Sequence, residues 1–250
     1  MAADLLEVRG LTKSFGGVLA LDGVDLRVRR GEVVALLGDN AAGKSTLARV
    51  VGGVHQPTSG QLCFDGRPVV IDSPRAATRL GIASVYQESS LVESLDVTAN
   101  VFLGQEIRHH GLLDHHAMAR QARQHLGTVN ARIPNLGVPL GELSAGQRQC
   151  VAIARTLVSR PRLVVLDEPT ASLSVGQTAE VLTYITGLRE AGLGVILISH
   201  SLTDVRAVAD RIEVLRHGRN NGSFAAGEAS YEGLLAAITG ASRTSRRGPD

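Results

Sequence analysis

Nine consecutive residues, Gly38-Asp39-Asn40-Ala41-Ala42-Gly43-Lys44-Ser45-Thr46, constrain this chain more than any other stretch of it. They satisfy the pattern Gly-x-x-x-x-Gly-Lys-Ser/Thr in the setting its mechanism requires: the apolar run Val33 to Leu37 precedes them, and Leu47, Val50 and Val51 follow at helical spacing. Gly38 and Gly43 permit a tight backbone path, so that successive N–H groups and the start of the following helix face bound phosphate. In such a loop Lys44 reaches the β- and γ-phosphate oxygens of a nucleotide, and Ser45 offers its hydroxyl to Mg²⁺.

Two more short apolar runs, Leu163 to Leu166 and Val195 to Ile198, lack strict alternation, which suits strands buried on both faces of a parallel sheet. Each leads into helical spacing, through Val181, Tyr184, Ile185 and Leu188 after one and through Val205 and Val208 after the other. The expected fold class is therefore α/β. Residues Leu6 to Leu26 with Gln61 to Ile71 alternate between glycine-bearing turns and predict a small antiparallel lobe. From about Ser89 to Arg160 the pattern becomes mainly helical, which predicts an inserted helical subdomain, residues 89–160, within one domain spanning residues 1–240. Ala241 to Asp250, with three arginines and hardly any apolar content, reads as a mobile polar tail.

At 250 residues and 44% apolar content the chain can bury a substantial core. No apolar run approaches the about 18 residues of a membrane-spanning helix, and the charged residues Asp4, Glu7 and Arg9 argue against a signal peptide. Cys63 and Cys150 lack metal or disulfide spacing, so cytoplasmic residence is the default. A net charge of +2 creates no field that would announce nucleic acid as a partner.

Leu163-Val-Val-Leu-Asp167-Glu168-Pro169 sets two carboxylates at the carboxyl end of a buried strand, where ligands gather in open α/β sheets. Asp167 can organise Mg²⁺, and Glu168 can accept the proton of a water attacking the γ-phosphate. His200 follows the strand Val195 to Ile198 as a γ-phosphate sensor would, and Gln87 can supply a metal or water ligand, although each alone is commonplace. Leu143-Ser144-Ala145-Gly146-Gln147 opens a helix with Ser144 as its natural N-cap, a start suited to an anion.

The order of these motifs resembles the ATP-binding subunits of ATP-binding cassette (ABC) transporters across nearly the full length of the chain. The resemblance implies ATP and Mg²⁺ as ligands, and a head-to-tail pair of subunits in which the P-loop of one and the Ser144-Ala145-Gly146-Gln147 signature of the other enclose each ATP. It implies that Phe15, in Thr12-Lys-Ser-Phe-Gly, stacks on adenine, that Lys44 and Ser45 hold phosphate and magnesium, and that Asp167 assists the metal. Glu168 is then the general base and His200 positions the γ-phosphate. Gly81-Ile-Ala-Ser-Val-Tyr-Gln-Glu, Val101-Phe-Leu-Gly, Ile198-Ser-His and Ala209-Asp-Arg-Ile-Glu-Val-Leu are similar to sugar-import ATPases of the ribose, xylose and fructose type, which are commonly two fused cassettes. With one P-loop in this sequence, the implied partners are a second ATP-binding subunit, most simply a second copy, a polytopic membrane permease and, indirectly, a periplasmic or extracellular sugar-binding protein. The implied location is peripheral, on the inner face of the membrane.

Two positions depart from the family pattern: Ala42 stands where glycine is common, and Ala171-Ser-Leu-Ser174 replaces a segment usually ending in aspartate. Two rival readings are a soluble ABC ATPase of DNA repair or translation, which would carry coiled-coil insertions or basic arms, and a non-hydrolysing ATP switch, which would lack Glu168. The histidines 109, 110, 115 and 116 read as an exposed loop and helix start, and Arg243, Arg246 and Arg247 as solvated charge.

Overall fold

The computed structural model describes residues 4–86 and 91–241. Its elements in chain order are β1 (Asp4–Phe15), β2 (Val18–Arg29), β3 (Val33–Leu37), α1 (Lys44–Val51), β4 (Ser59–Phe64), β5 (Arg67–Val69), α2 (Pro74–Leu80) and β6 (Ile82–Val85). A mainly helical stretch follows with α3 (Val97–Phe102), the hairpin β7 (Arg108–His109) and β8 (Leu112–Leu113), α4 (His115–Thr128), a 3₁₀ turn at Leu140–Glu142, and α5 (Ala145–Leu157). The chain then returns through β9 (Leu163–Asp167), α6 (Val175–Glu190), β10 (Gly194–Ile198), α7 (Leu202–Val208), β11 (Arg211–Arg216), β12 (Arg219–Ala225) and α8 (Tyr231–Thr239).

The three runs expected to be central strands are β3, β9 and β10, and all fifteen of their residues are buried. They form the middle of a six-stranded sheet of order β12-β11-β3-β10-β9-β6, parallel except for the edge strand β12. Both faces are covered, which is why these strands read as continuous apolar runs. Successive side chains point to opposite faces, so the strands feed two cores. Val33, Ala35, Leu37, Val164, Leu166, Val195 and Leu197 join the core beneath α5, α6 and α7. Val34, Leu36, Leu163, Val165, Ile196 and Ile198 join the one shared with α1 and the antiparallel sheet. That second sheet, of order β2-β1-β4-β5, is the small lobe expected from the alternating N-terminal pattern.

The helical stretch packs α5 against α3, α4, α6 and β6, so it rests on one edge of the parallel sheet. His109 and His110 sit exposed on the β7–β8 hairpin and His115 begins α4; among the described residues no cluster of histidine, cysteine or carboxylate side chains has the makings of a metal site. Gln87 and, beyond Ala241, the expected polar tail lie outside the described residues. No described helix is long and apolar enough to cross a membrane.

One polar side chain organises the entry to the helical stretch and gave no sequence signal. Asn100, fully buried in α3, accepts from the Val92 N–H at 2.8 Å and donates to the carbonyls of Val92, Leu95 and Asp96 at 2.9, 3.1 and 3.0 Å. Asn100→Ala would leave the Val92 N–H without its acceptor and take one of two donors from each of the three carbonyls, which keep the backbone N–H groups of Leu95, Leu140 and position 100. Urea unfolding is expected to show a loss of about 2–4 kcal/mol; a loss below about 0.5 kcal/mol, the range of ordinary surface changes, would refute this role.

Candidate functional site

The nucleotide-type loop runs from the end of β3 to α1. Gly38, at φ 149°, passes so close to the β11 backbone that a Cβ would lie 2.2 Å from the Leu215 carbonyl oxygen. Ala41 occupies the left-handed region at φ 63°, whereas Ala42 does not. The substitution noted in the sequence therefore falls at an ordinary backbone position, and Ala42 is buried with its N–H bonded to the Asp39 carbonyl at 3.1 Å. The strained alanine is Ala41, which no sequence signal marked. Asp39, Asn40 and Ala41 are exposed at the loop mouth, and Thr46 is half-buried in the first turn of α1.

The N-terminus of α1 differs from every other α-helix start among the described residues. The other seven begin on a serine or aspartate, Ser73, Asp96, Asp114, Ser144, Ser174, Ser201 or Ser230, whose side chain accepts a first-turn N–H. Helix α1 begins on Gly43 and has no side-chain cap. The first N–H groups of a helix have no partner within it, and their summed dipole favours an anion. Lys44 is 6% exposed, and its Nζ donates to the Gly38 and Asp39 carbonyls at 2.6 and 2.9 Å, so the ammonium spans the loop. Burial lowers its pKa, opposed by the negative charges of Glu168, Asp167 and Asp39.

Asp167 ends β9 and is 5% exposed; Ser45 Oγ donates to its Oδ1 at 3.2 Å. A hydroxyl and a carboxylate are hard oxygen donors suited to Mg²⁺ that is completed by phosphate and water, so this pair fits the metal without a larger cluster of ligands. Burial raises the Asp167 pKa against the Ser45 hydrogen bond and the charges of Arg49, Lys44 and His200. Glu168 follows in the left-handed region at φ 54°, its N–H bonded to the Ile198 carbonyl at 3.0 Å. Its Oε1 meets His200 Nε2 at 2.9 Å, too oblique for a hydrogen bond, and has no hydrogen-bonding partner among the described residues. Burial also raises the Glu168 pKa, with His200 and Lys44 pulling it down. A buried acceptor left open is a place for a donor such as water.

The structure thus brings Gly38, Lys44, Ser45, Asp167, Glu168 and His200 to one edge of the sheet. Phe15 lies at the end of β1, 44% exposed, with the His55 ring edge-on at 5.0 Å and Lys13 Nζ 4.9 Å from its centroid. The signature lies at the start of α5: Ser144 and Gln147 form a reciprocal capping box, Ala145 is half-buried, and Gly146 packs so closely on α6 that a Cβ would be 3.1 Å from Gln177 Cβ. Ser174 caps α6 in the same reciprocal way with Gln177. Serine and aspartate are both strong N-caps, so the departure at Ser174 preserves the local fold. Between α2, β6 and α5 lies a cavity of about 260 Å³, with Gly52, Ala77, Ser84 and Tyr86 on one wall and Gln105 and Ala152 on another.

Ser174→Ala is expected to destabilise by up to about 1 kcal/mol, lowering Tm by about 2–4 °C, whereas Ser174→Asp keeps the cap and the midpoint. Equal midpoints for the alanine and aspartate variants in a thermal scan would show that the side chain is not a cap.

The sequence pattern of the ABC transporter family matches residues 21–171. The xylose/arabinose import ATP-binding protein XylG of Sulfolobus acidocaldarius is 43% identical over 217 residues, 87% of this chain and 86% of that protein. The ribose import ATP-binding protein RbsA 1 of Rubrobacter xylanophilus is 44% identical over 95% of this chain, and the xylose import ATP-binding protein XylG of Escherichia coli 40% over 94%. The chain spans about half the length of these two relatives, 47% and 46%. Among solved structures, CbiO1 of Clostridium perfringens, part of an ABC transporter complex, superposes with a TM-score of 0.79 at 28% identity, covering 95% of both chains. A nucleotide-free ATP-binding cassette from an ABC transporter gives 0.79 at 24% identity, a likeness of fold over 94% of this chain and 95% of that one. With its P-loop, paired carboxylates and signature helix in these places, the chain belongs to the ABC transporter family as an ATP-binding cassette.

Proposed function

We propose that this protein hydrolyses ATP to drive import of a monosaccharide through a separate membrane permease. The uncapped N-terminus of α1 carries the reading: it is the one described α-helix start without a side-chain cap, and it stands beside Lys44, Asp167 and Glu168. The phosphates of ATP take the first-turn N–H groups and Lys44, which gives up its bonds to the Gly38 and Asp39 carbonyls. Ser45 and Asp167 hold Mg²⁺, which supplies positive charge against the phosphate oxygens. Glu168 accepts the proton of the attacking water through its open Oε1, and His200 fixes that carboxylate and meets the γ-phosphate. Phe15 offers its exposed ring to adenine, and Gln87 links the nucleotide to the helical region, residues 89–160.

The reciprocal caps of Ser144 with Gln147 leave the signature in the helical region, apart from the P-loop hydrogen bonds of its own chain. A second ATP-binding subunit, most simply another copy, supplies the signature to each site and makes the working unit a dimer. The cavity beside Tyr86 lies where the helical region meets the sheet, and we assign it to the permease, with a sugar-binding protein acting from the far side of the membrane. The protein then sits peripherally on the cytoplasmic face. The relatives named for import of xylose, arabinose and ribose, all of them pentoses, support a monosaccharide as cargo.

Glu168→Gln keeps the shape of the carboxylate and removes the proton acceptor. It is expected to bind MgATP while phosphate release falls about 10²- to 10⁴-fold, and to show an ATP-dependent doubling of mass by light scattering. Near-normal turnover removes Glu168 from the role of base. Lys44→Ala is expected to weaken ATP binding itself.

Deleting the chromosomal copy and measuring uptake of labelled ribose, xylose, arabinose and fructose tests the cargo. Uptake of at least one sugar should fall and return with the wild-type protein, not with Glu168→Gln. Dependence of amino-acid, peptide or metal uptake instead would overturn the sugar assignment and leave the ATPase assignment standing.

A further inference from the structure

Glu168 and His200 come from different loops, and each loop carries one further residue that ties it to the other. Thr170 lies two positions beyond Glu168 on the way out of β9; Asp204 lies four beyond His200 in the first turn of α7. Thr170 Oγ1 donates to Asp204 Oδ2 at 2.9 Å, and both residues are half-buried. A hydroxyl bonded to a carboxylate is stronger than a neutral pair, and partial burial spares it competition from water.

Both ends of this bond are anchored. On one side the Asp204 N–H donates to Ser201 Oγ at 3.2 Å, and the Ser201 N–H donates to Ser199 Oγ at 3.0 Å, with Ser199 only 1% exposed. On the other, the Ala171 N–H donates to the Glu168 carbonyl at 3.2 Å, which folds the loop back on itself around Thr170. The bond from the Glu168 N–H to the Ile198 carbonyl joins the two loops at their roots, and Thr170–Asp204 joins them farther out. Glu168 and His200 lie inside the resulting ring. Glu168 needs such a frame, because its left-handed φ of 54° is one that an L-residue leaves unless its surroundings hold it.

We infer that Thr170 and Asp204 are positioning residues for hydrolysis, clasping the two loops so that the Glu168 carboxylate stays against His200 and faces the attacking water. The inference rests on Glu168 being the general base. It assigns neither residue a proton of its own; the clasp acts through the place and orientation of Glu168, a term to which catalysis is steeply sensitive.

The test compares Thr170→Val, Asp204→Ala, their double variant, Thr170→Ser and Asp204→Asn in the full chain, measuring kcat and KM for MgATP, affinity for a fluorescent ATP analogue with Mg²⁺, and Tm. Thr170→Val and Asp204→Ala should each lower kcat about 10- to 10²-fold while analogue affinity stays within about twofold of wild type. The double variant should fall no further than the worse single one, since both remove the same bond. Thr170→Ser keeps the donor and Asp204→Asn keeps an acceptor oxygen, so both should recover most of the rate. Wild-type kcat in Thr170→Val, additive losses in the double variant, or a rate loss matched by equal losses of affinity and Tm would each overturn the clasp. If Thr170→Val fails to fold, Asp204→Asn decides: a collapse of kcat to the level of Asp204→Ala means that charge, not the hydrogen bond, is what matters, and refutes the proposal. A wild-type protein that binds MgATP without hydrolysing it refutes the underlying assignment of Glu168, and the clasp with it.

Discussion

Ile198 pairs with Leu36 of β3 on one side and with Asp167 of β9 on the other, while Val85 of β6 pairs with Leu166. This register ends four parallel strands at one level, so the residues that follow them, Gly38, Glu168, Ser199 and Tyr86, emerge along a single edge. Parallel strands cannot be joined by tight hairpins, and every crossover must travel back over a face of the sheet. The chain therefore delivers functional loops to the carboxyl edge and hides the return paths as α1, α5, α6 and α7. A one-residue slip of β9 would exchange the side chains that feed the two cores, and would carry Asp167 away from Ser45. Two separate apolar clusters consequently hold the register on which the carboxylates depend.

The fold was legible where the physics is local. Fully buried strands leave continuous apolar runs and helices leave three- and four-residue spacing, so β3, β9, β10, α1, α6 and α7 could be placed from Val33–Leu37, Leu163–Leu166, Val195–Ile198 and the periodic residues after them. Lys44, Ser45, Asp167, Glu168 and His200 were legible because each ends or follows such a strand. What stayed hidden depends on backbone angles or on pairs distant in sequence. Nothing in Ala41-Ala42 says which alanine takes the left-handed angle. Asn100 looks like any polar helix residue until Val92, Leu95 and Asp96 are seen around it. The partnership of Thr170 with Asp204 spans 34 positions and has no local signature.

The helix caps explain why the departure from the family pattern at Ser174 is tolerated locally. Ser144 and Ser174 begin α5 and α6, which pack side by side with Gly146 against Gln177, and each serine is paired with a glutamine three positions later. The two capping boxes satisfy the first N–H groups of these helices internally. Helix α1 has no such device, and so an anion arriving at this edge of the chain finds open donors there before anywhere else. Position 174 asks for an oxygen acceptor to start α6, and a serine supplies it as an aspartate would, without adding a fixed negative charge.

Lys44 shows how the cradle keeps its shape before ATP arrives. An ammonium this deeply buried is costly unless hydrogen-bonded, and the Gly38 and Asp39 carbonyls meet that need while pinning the loop across its own mouth. In the proposed reaction the phosphates replace those carbonyls, so binding exchanges one set of acceptors for another that carries charge. The gain is the difference between two well-formed states, not the creation of a site from a disordered loop. The same holds on the opposite wall, where the Ser45–Asp167 bond keeps the hydroxyl and carboxylate turned toward each other. Glu168 Oε1, by contrast, has no hydrogen bond to exchange among the described residues. Lys44, Ser45 and Asp167 exchange existing hydrogen bonds when the nucleotide binds, whereas the proposed base is already open to its water.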